Sequence, residues 1–202
     1  MIQLFGHPGS TCTRKVLTVL FETNTPYELN VVELSKGEHK QEPHISRQPF
    51  GQIPVIEDDG FRLFESRAIA RYLDEKAGGT LTPRTLRERA LMNQWQSVEQ
   101  SNFSPAAMKF VYHYVFKRPQ DQAMLDGAAK MIETTLGALS QSLATTPYVA
   151  GSQFSLGDIG YMPYVEYVFT TPGRAIFEKY PHIMSWWSRV SERPSWRKVA
   201  GH

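Results

Sequence analysis

The sequence predicts a mixed α/β segment followed by an all-helical one. Two observations carry this: strand and helix signals alternate in the first third of the chain, and the remainder repeats apolar residues at helical spacing. The texture changes near residues 78–85, where Gly78, Gly79 and Pro83 mark a linker. The 202 residues allow one large domain or two small ones. A hydrophobic share of 41% is ordinary for a folded chain and excludes disorder as the default. The 22 basic and 20 acidic residues nearly cancel and are interspersed, which argues against nucleic acid as the main partner. The single cysteine, Cys12, forbids an internal disulfide and suits a reducing compartment. No basic start with an apolar run opens the chain, and no stretch nears the roughly 18 apolar residues of a membrane span. A soluble cytoplasmic protein is expected.

The elements follow in order. Ile2 to Phe5 reads as a short strand ended by Gly6, Pro8 and Gly9, and Val16, Leu17, Val19 and Leu20 then recur at helical spacing to about Thr23. Tyr27 to Leu34 alternates as a second strand, which the intervening helix allows to lie parallel to the first. After a polar, turn-like stretch from Ser35, Val55 to Glu57 and Arg62 to Phe64 flank an Asp-Asp-Gly turn and predict a hairpin. Glu65-Ser66 opens an amphipathic helix ending at Gly78-Gly79. Further on, one long helix is expected from about Thr85 toward Tyr114, a second from about Gln122 to Leu143 and a third from Leu156. Another runs from about Ile176 or Pro181 to Glu192, and a last short one follows Pro194. Ser155-Leu156-Gly157-Asp158 is a capping box in which Asp158 reaches back to the Ser155 amide, a stability element. Trp186 and Trp187 suggest one core and one partly exposed indole.

Four groups of residues can carry chemistry. Gly9 to Arg14 lies between a strand end and a helix start, where unpaired amides and the helix dipole stabilise a thiolate; Ser10 or Thr11 acting only as a cap is the plainer alternative. In Gln52-Ile53-Pro54 a cis proline before a strand would turn the Ile53 backbone outward to pair with an extended peptide, although a trans proline is commoner there. Glu65 and Ser66 at a second helix start suit a zwitterionic amino-acid group: Ser66 and the amides take a carboxylate, Glu65 an ammonium. His39-Lys40 offers cations to a carboxylate, or is simply solvated. Together the four describe a pocket for a thiol tripeptide, glutathione.

The chain resembles the cytosolic glutathione S-transferases, the phi class and its bacterial relatives above all. The resemblance lies in residues 7–14, 37–40, 49–55, 63–69 and 154–158, in order over nearly the whole chain. It implies a fold of class α/β plus all-α, with a thioredoxin-like N-terminal domain (βαβαββα) over residues 1–79, a linker at 80–85 and an all-helical glutathione transferase C-terminal domain over 86–202. It implies a homodimer, glutathione as co-substrate without a metal, a hydrophobic electrophile as second substrate, and a role in detoxification. By matching motif, Ser10 is the catalytic residue, donating a hydrogen bond to the glutathione sulfur with Thr11 beside it. Ile53 pairs with the cysteinyl backbone next to cis Pro54, Glu65 and Ser66 hold the γ-glutamyl end, and His39, Lys40 and Gln52 serve the glycyl end.

A free thiol with a pKa near about 8.5 is only a few per cent ionised at pH 7, so lowering that value by about two units makes the thiolate dominant. Ser10 then acts as a donor and need not be a base; the thiolate attacks an electrophilic carbon or a peroxide oxygen, so glutathione peroxidase activity is also expected. Met108, Tyr112 and Phe116 recur at a spacing of four and are candidates for the electrophile pocket, although a stripe at that spacing is more often core. Two other functions compete. In one, Cys12 is the nucleophile of a thiol transferase or disulfide reductase, although in thiol-transferring relatives the reactive cysteine stands where Ser10 matches. In the other, the chain binds glutathione or another ligand without catalysis.

Overall fold

The computed structural model describes residues 1–201. By internal packing the chain divides into two units, Met1–Thr80 together with residues from Arg197 onward, and Leu81–Trp196.

The first unit is built on a four-stranded sheet in the order β2-β1-β3-β4. Its strands are β1 (Ile2–Gly6), β2 (Tyr27–Val31), β3 (Val55–Asp58) and β4 (Phe61–Phe64). β1 runs parallel to β2 and antiparallel to β3, and β3 and β4 form the expected hairpin about Asp59-Gly60. The second strand is shorter than its alternation suggests. β1 ends at Gly6, and once Val32 N–H has donated to the Gly6 carbonyl no partner is left, so the chain turns into a 3-10 turn at Leu34–Lys36. α1 (Thr11–Glu22) and α3 (Ser66–Lys76) pack side by side, and their buried residues Val16, Val19, Ile69 and Leu73 join Leu4 and Ile56 of the sheet in one core. The polar stretch after Leu34 also holds the 3-10 turn Glu38–Lys40 and α2 (His44–Arg47), whose Arg47 guanidinium stacks on the Phe5 ring at 4.1 Å.

At the hairpin turn, Asp58 is buried between the Lys76 ammonium and the Tyr72 hydroxyl, which donates at 2.6 Å. These two partners hold its carboxyl below the usual carboxylate range. The last turn of α3 is thereby tied to the far end of the hairpin.

In the second unit the long helix expected from Thr85 is interrupted. α4 (Leu86–Val98) opens on a Thr85 cap whose hydroxyl accepts from Glu88 N–H at 3.2 Å. It leads through a π turn at Glu99–Phe103 into α5 (Ser104–Phe110), and a second π turn follows at Val111–Val115. Pro105 explains the first: a proline has no N–H to return to the preceding turn and its ring presses on that turn's carbonyl, so the helix widens just ahead of it. α6 (Gln122–Leu143) and α7 (Leu156–Phe169) start where expected. α7 is buried from Leu156 through Val165, the pattern of a central helix surrounded by others. α9 (Pro181–Ser191) takes the later of its two expected starts, with a separate short α8 (Arg174–Phe177) ahead of it, and α10 (Pro194–Ala200) closes the described helices. Trp186 is buried and Trp187 half-buried, as the sequence suggests. Among the described residues no helix is long and apolar enough to cross a membrane.

Candidate active site

Strand register brings the candidate residues of the first unit to one end of the sheet. Phe5, Val55 and Phe64 are aligned across β1, β3 and β4, and Gly6 pairs with Val31 of β2. The segment after β1 carries Ser10 and Thr11, and the one before β3 carries Gln52, Ile53 and Pro54. The segment after β4 carries Glu65 and Ser66, and the one after β2 carries His39 and Lys40. All four leave the sheet on the same side. α1 and α3 both point their N-termini, the positive ends of their dipoles, at this end.

Gly6 makes the junction tight. A Cβ there would lie 2.7 Å from Thr13 Oγ1 and 3.4 Å from Pro54 Cβ, so the first turn of α1 and Pro54 close over a residue that has no side chain. The Ile53–Pro54 peptide is cis, the alternative that the sequence left as the less common one. A second cis bond, Glu42–Pro43, had no signal read for it.

Ser10 is the N-cap of α1: its Oγ accepts from Thr13 N–H at 3.3 Å, which leaves the hydroxyl hydrogen for another acceptor. Thr11 is buried at the first helical position. Cys12 is half-buried. The Ile53 backbone N–H and C=O and the Ser66 N–H make no hydrogen bond among the described residues. Glu65 carries α3's N-cap position at φ 72°, in the left-handed region that an L-residue with a side chain enters at a cost of roughly 1–3 kcal/mol. Such strain persists where surrounding structure imposes it, and here it stands next to Ser66 at a helix start. Lys40 is partly committed: its ammonium donates to the Phe50 carbonyl at 2.9 Å, and its side chain fills the space beside Gly51.

In the second unit the Met108–Tyr112–Phe116 stripe becomes an aromatic wall only in part. The Tyr112 and Phe116 rings lie 6.2 Å apart, Phe116 meets Tyr167 of α7 edge-on at 5.9 Å, and the Arg118 guanidinium stands 5.7 Å from the Tyr112 ring. Phe116 is exposed and Met108 half-buried. Tyr167 lies far away in sequence, and no local pattern marked it. The second π turn, which spans Tyr112, belongs to a class of distortion that recurs at functional sites.

Two family models match this chain: "Glutathione S-transferase, N-terminal domain" over residues 1–75 and "Glutathione S-transferase, C-terminal domain" over residues 103–194. Glutathione S-transferase F6 of Arabidopsis thaliana is 35% identical over 98% of both chains. The chain belongs to the glutathione S-transferase family. Probable glutathione S-transferase GSTF1 of Oryza sativa subsp. japonica is 34% identical over 98% of this chain and 95% of its own. The crystal structure of glutathione transferase F7 from Populus trichocarpa superposes with a TM-score of 0.94 at 37% identity, over 100% of this chain and 98% of that one. A maize glutathione S-transferase I, solved with an atrazine glutathione conjugate, is 31% identical with a TM-score of 0.91 over 99% and 96%. The thioredoxin-like sheet followed by a helical unit is the fold of these glutathione transferases, and the enzyme is a glutathione transferase.

Proposed function

We propose that this transferase activates the glutathione thiol through Ser10, whose free hydroxyl hydrogen at the N-terminus of α1 is the observation that carries the reading. Ser10 donates to the sulfur and the helix start adds positive potential, so both favour the thiolate without a base. Thr11 stands beside the sulfur. The unpaired Ile53 N–H and C=O, next to Pro54, take the cysteinyl backbone as a short strand pair. Ser66 N–H and the carboxylate of Glu65 receive the γ-glutamyl carboxylate and ammonium. His39, Lys40 and Gln52 serve the glycyl carboxylate. Residues 1–79 thus form the glutathione-binding domain, 80–85 the linker, and 86–202 the domain contributing the electrophile pocket. Met108, Tyr112 and Phe116 line that pocket, and their aromatic character suits apolar and aromatic electrophiles. The maize structure with an atrazine conjugate supports that class. Reduction of organic hydroperoxides by the same thiolate, detoxification as the role and the cytoplasm as the location belong to this reading. The enzyme works as a homodimer, and exposed apolar side chains such as Phe50 at 65% and Leu86 at 76% supply surface for it; a monomer by light scattering would remove that part.

The test is a pH titration of bound glutathione, read by thiolate absorbance, in wild type, Ser10→Ala and Cys12→Ala. Ser10→Ala raises the bound thiol's pKa by about two units and Cys12→Ala leaves it in place. An unchanged value in Ser10→Ala refutes the mechanism, and loss of turnover confined to Cys12→Ala transfers the chemistry to the cysteine.

A further inference from the structure

We propose that His44 is a positioning residue for the glutathione site: it aims the Ile53 N–H at the ligand by holding the carbonyl on the other side of the same peptide group. The inference rests on the glutathione-binding reading above. His44 Nε2 lies 2.7 Å from the Gln52 carbonyl oxygen. A carbonyl only accepts, so Nε2 carries the hydrogen and donates it. Gln52 C=O and Ile53 N–H belong to one planar peptide, and it is trans, since the cis bonds of the chain are those before Pro43 and Pro54. In a trans peptide the C=O and the N–H point in opposite directions. The bond from His44 therefore fixes the direction of the Ile53 N–H, which has no partner among the described residues.

A second side chain fixes the preceding peptide. Gln48 Oε1 accepts from Gln52 N–H at 3.1 Å, so both backbone groups of Gln52 are bound by side chains. The backbone that carries these side chains is itself held. His44 and Gln48 are 3% and 1% exposed, Gln48 N–H donates to the His44 carbonyl at 2.9 Å, and Gly51 N–H donates to the Gln48 carbonyl at 2.9 Å. Neither residue belongs to the proposed glutathione contacts. Both are too buried to be surface decoration, and their polar atoms converge on a single residue whose own side chain is exposed.

The experiment compares variants that keep and lose each bond. His44→Phe keeps a ring and removes the donor, whereas His44→Gln restores an N–H donor; Gln48→Met removes the acceptor and Gln48→Glu restores one. In His44→Phe the KM and Kd for glutathione rise roughly tenfold, the strength of one well-aligned hydrogen bond. Meanwhile kcat at saturating glutathione and the pKa of the bound thiol stay as in wild type, because Ser10 is untouched. His44→Gln recovers most of the affinity, and the Gln48 pair repeats the pattern at smaller amplitude. Glutathione affinity unchanged in His44→Phe overturns the proposal. So does an equal loss in His44→Phe and His44→Gln with kcat and melting temperature falling together, which is the signature of packing alone. If His44→Phe does not fold, Gln48→Met with unchanged glutathione affinity overturns it instead. A wild-type enzyme that binds glutathione tightly yet ignores these substitutions refutes only the positioning role; one that does not bind glutathione removes the underlying reading as well.

Discussion

Two serines cap two helices in this protein, and they differ in what their hydroxyls have left to offer. Ser155, 1% exposed, accepts from Gly157 N–H at 3.2 Å and donates to Asp158 Oδ2 at 3.1 Å, so its hydroxyl is engaged in both directions. Ser10 is half-buried, accepts from Thr13 N–H at 3.3 Å and donates to nothing among the described residues. The first is a closed circuit whose whole effect is stability. The second performs the same capping and keeps one hydrogen, which the proposed mechanism gives to the glutathione sulfur. On that proposal the same residue type at the same helical position is structural or reactive according to whether the fold supplies the second partner.

The strongest test of this contrast is Asp158, the acceptor that closes the Ser155 circuit. Its carboxyl also takes Val149 N–H at 3.0 Å, Trp186 Nε1–H at 2.8 Å and Ser155 N–H at 2.9 Å. Asp158→Ala leaves these buried donors without an acceptor and should cost about 3–5 kcal/mol in urea unfolding; a loss under about 1 kcal/mol would show that the circuit is not what holds α7's start. Ser10→Ala should lower turnover near neutral pH by roughly 25-fold, the fall in thiolate fraction when the bound thiol's pKa rises by about two units to the free value of about 8.5. The same change should cost only about 1 kcal/mol in stability, the usual worth of a cap. Ser155→Ala inverts that pattern, with about 2 kcal/mol lost from stability and glutathione turnover unaltered once folded. Should both serines move stability and turnover alike, the division proposed between them fails.

The pH response sharpens the contrast further. Burial pushes the Asp158 carboxyl up to about 6, against the pull of its four donors, whereas Lys76 and Tyr72 hold Asp58 below the usual range. A raised acid takes up protons in the folded state first, so the stability it contributes is present below its unfolded value near 3.8 and is lost as pH rises through about 6. Between pH 7 and pH 5 wild type should therefore gain roughly 1 kcal/mol relative to Asp158→Asn. Asp58 has the opposite sign: its contribution is present above 3.8 and is lost only as pH falls through the depressed folded value. Smallest of all, Glu65→Gly relieves the φ of 72° but loosens the unfolded chain too, so melting should change little. Its glutathione KM should nonetheless rise several-fold through loss of the carboxylate.

The sequence shows the sheet, the hairpin and the caps because those depend on neighbours along the chain: alternation in β1, the Asp-Asp-Gly turn, Ser10 ahead of α1, Ser155 three residues before Asp158. It does not show what depends on folding. The Trp186 bond to Asp158 and the Tyr167 ring beside Phe116 join residues distant in sequence. β2 stops early because its neighbour does, which no pattern inside β2 reveals. The first π turn does have a local signal: Pro105 inside an apolar helical stripe announces that the ladder must give way.

The alignment of Phe5, Val55 and Phe64 has a consequence for how such a site can evolve. Val55 and Ile56 are fully buried, and a slip of one residue in β3 would exchange their faces and carry the polar Glu57 toward the core. The same slip would displace residues 52–54 by a strand step of about 3.4 Å, farther than a hydrogen bond tolerates. The packing of β3 thus serves as the ruler for the three residues ahead of it: drift in their position is policed by the folding equilibrium, whatever those residues themselves become.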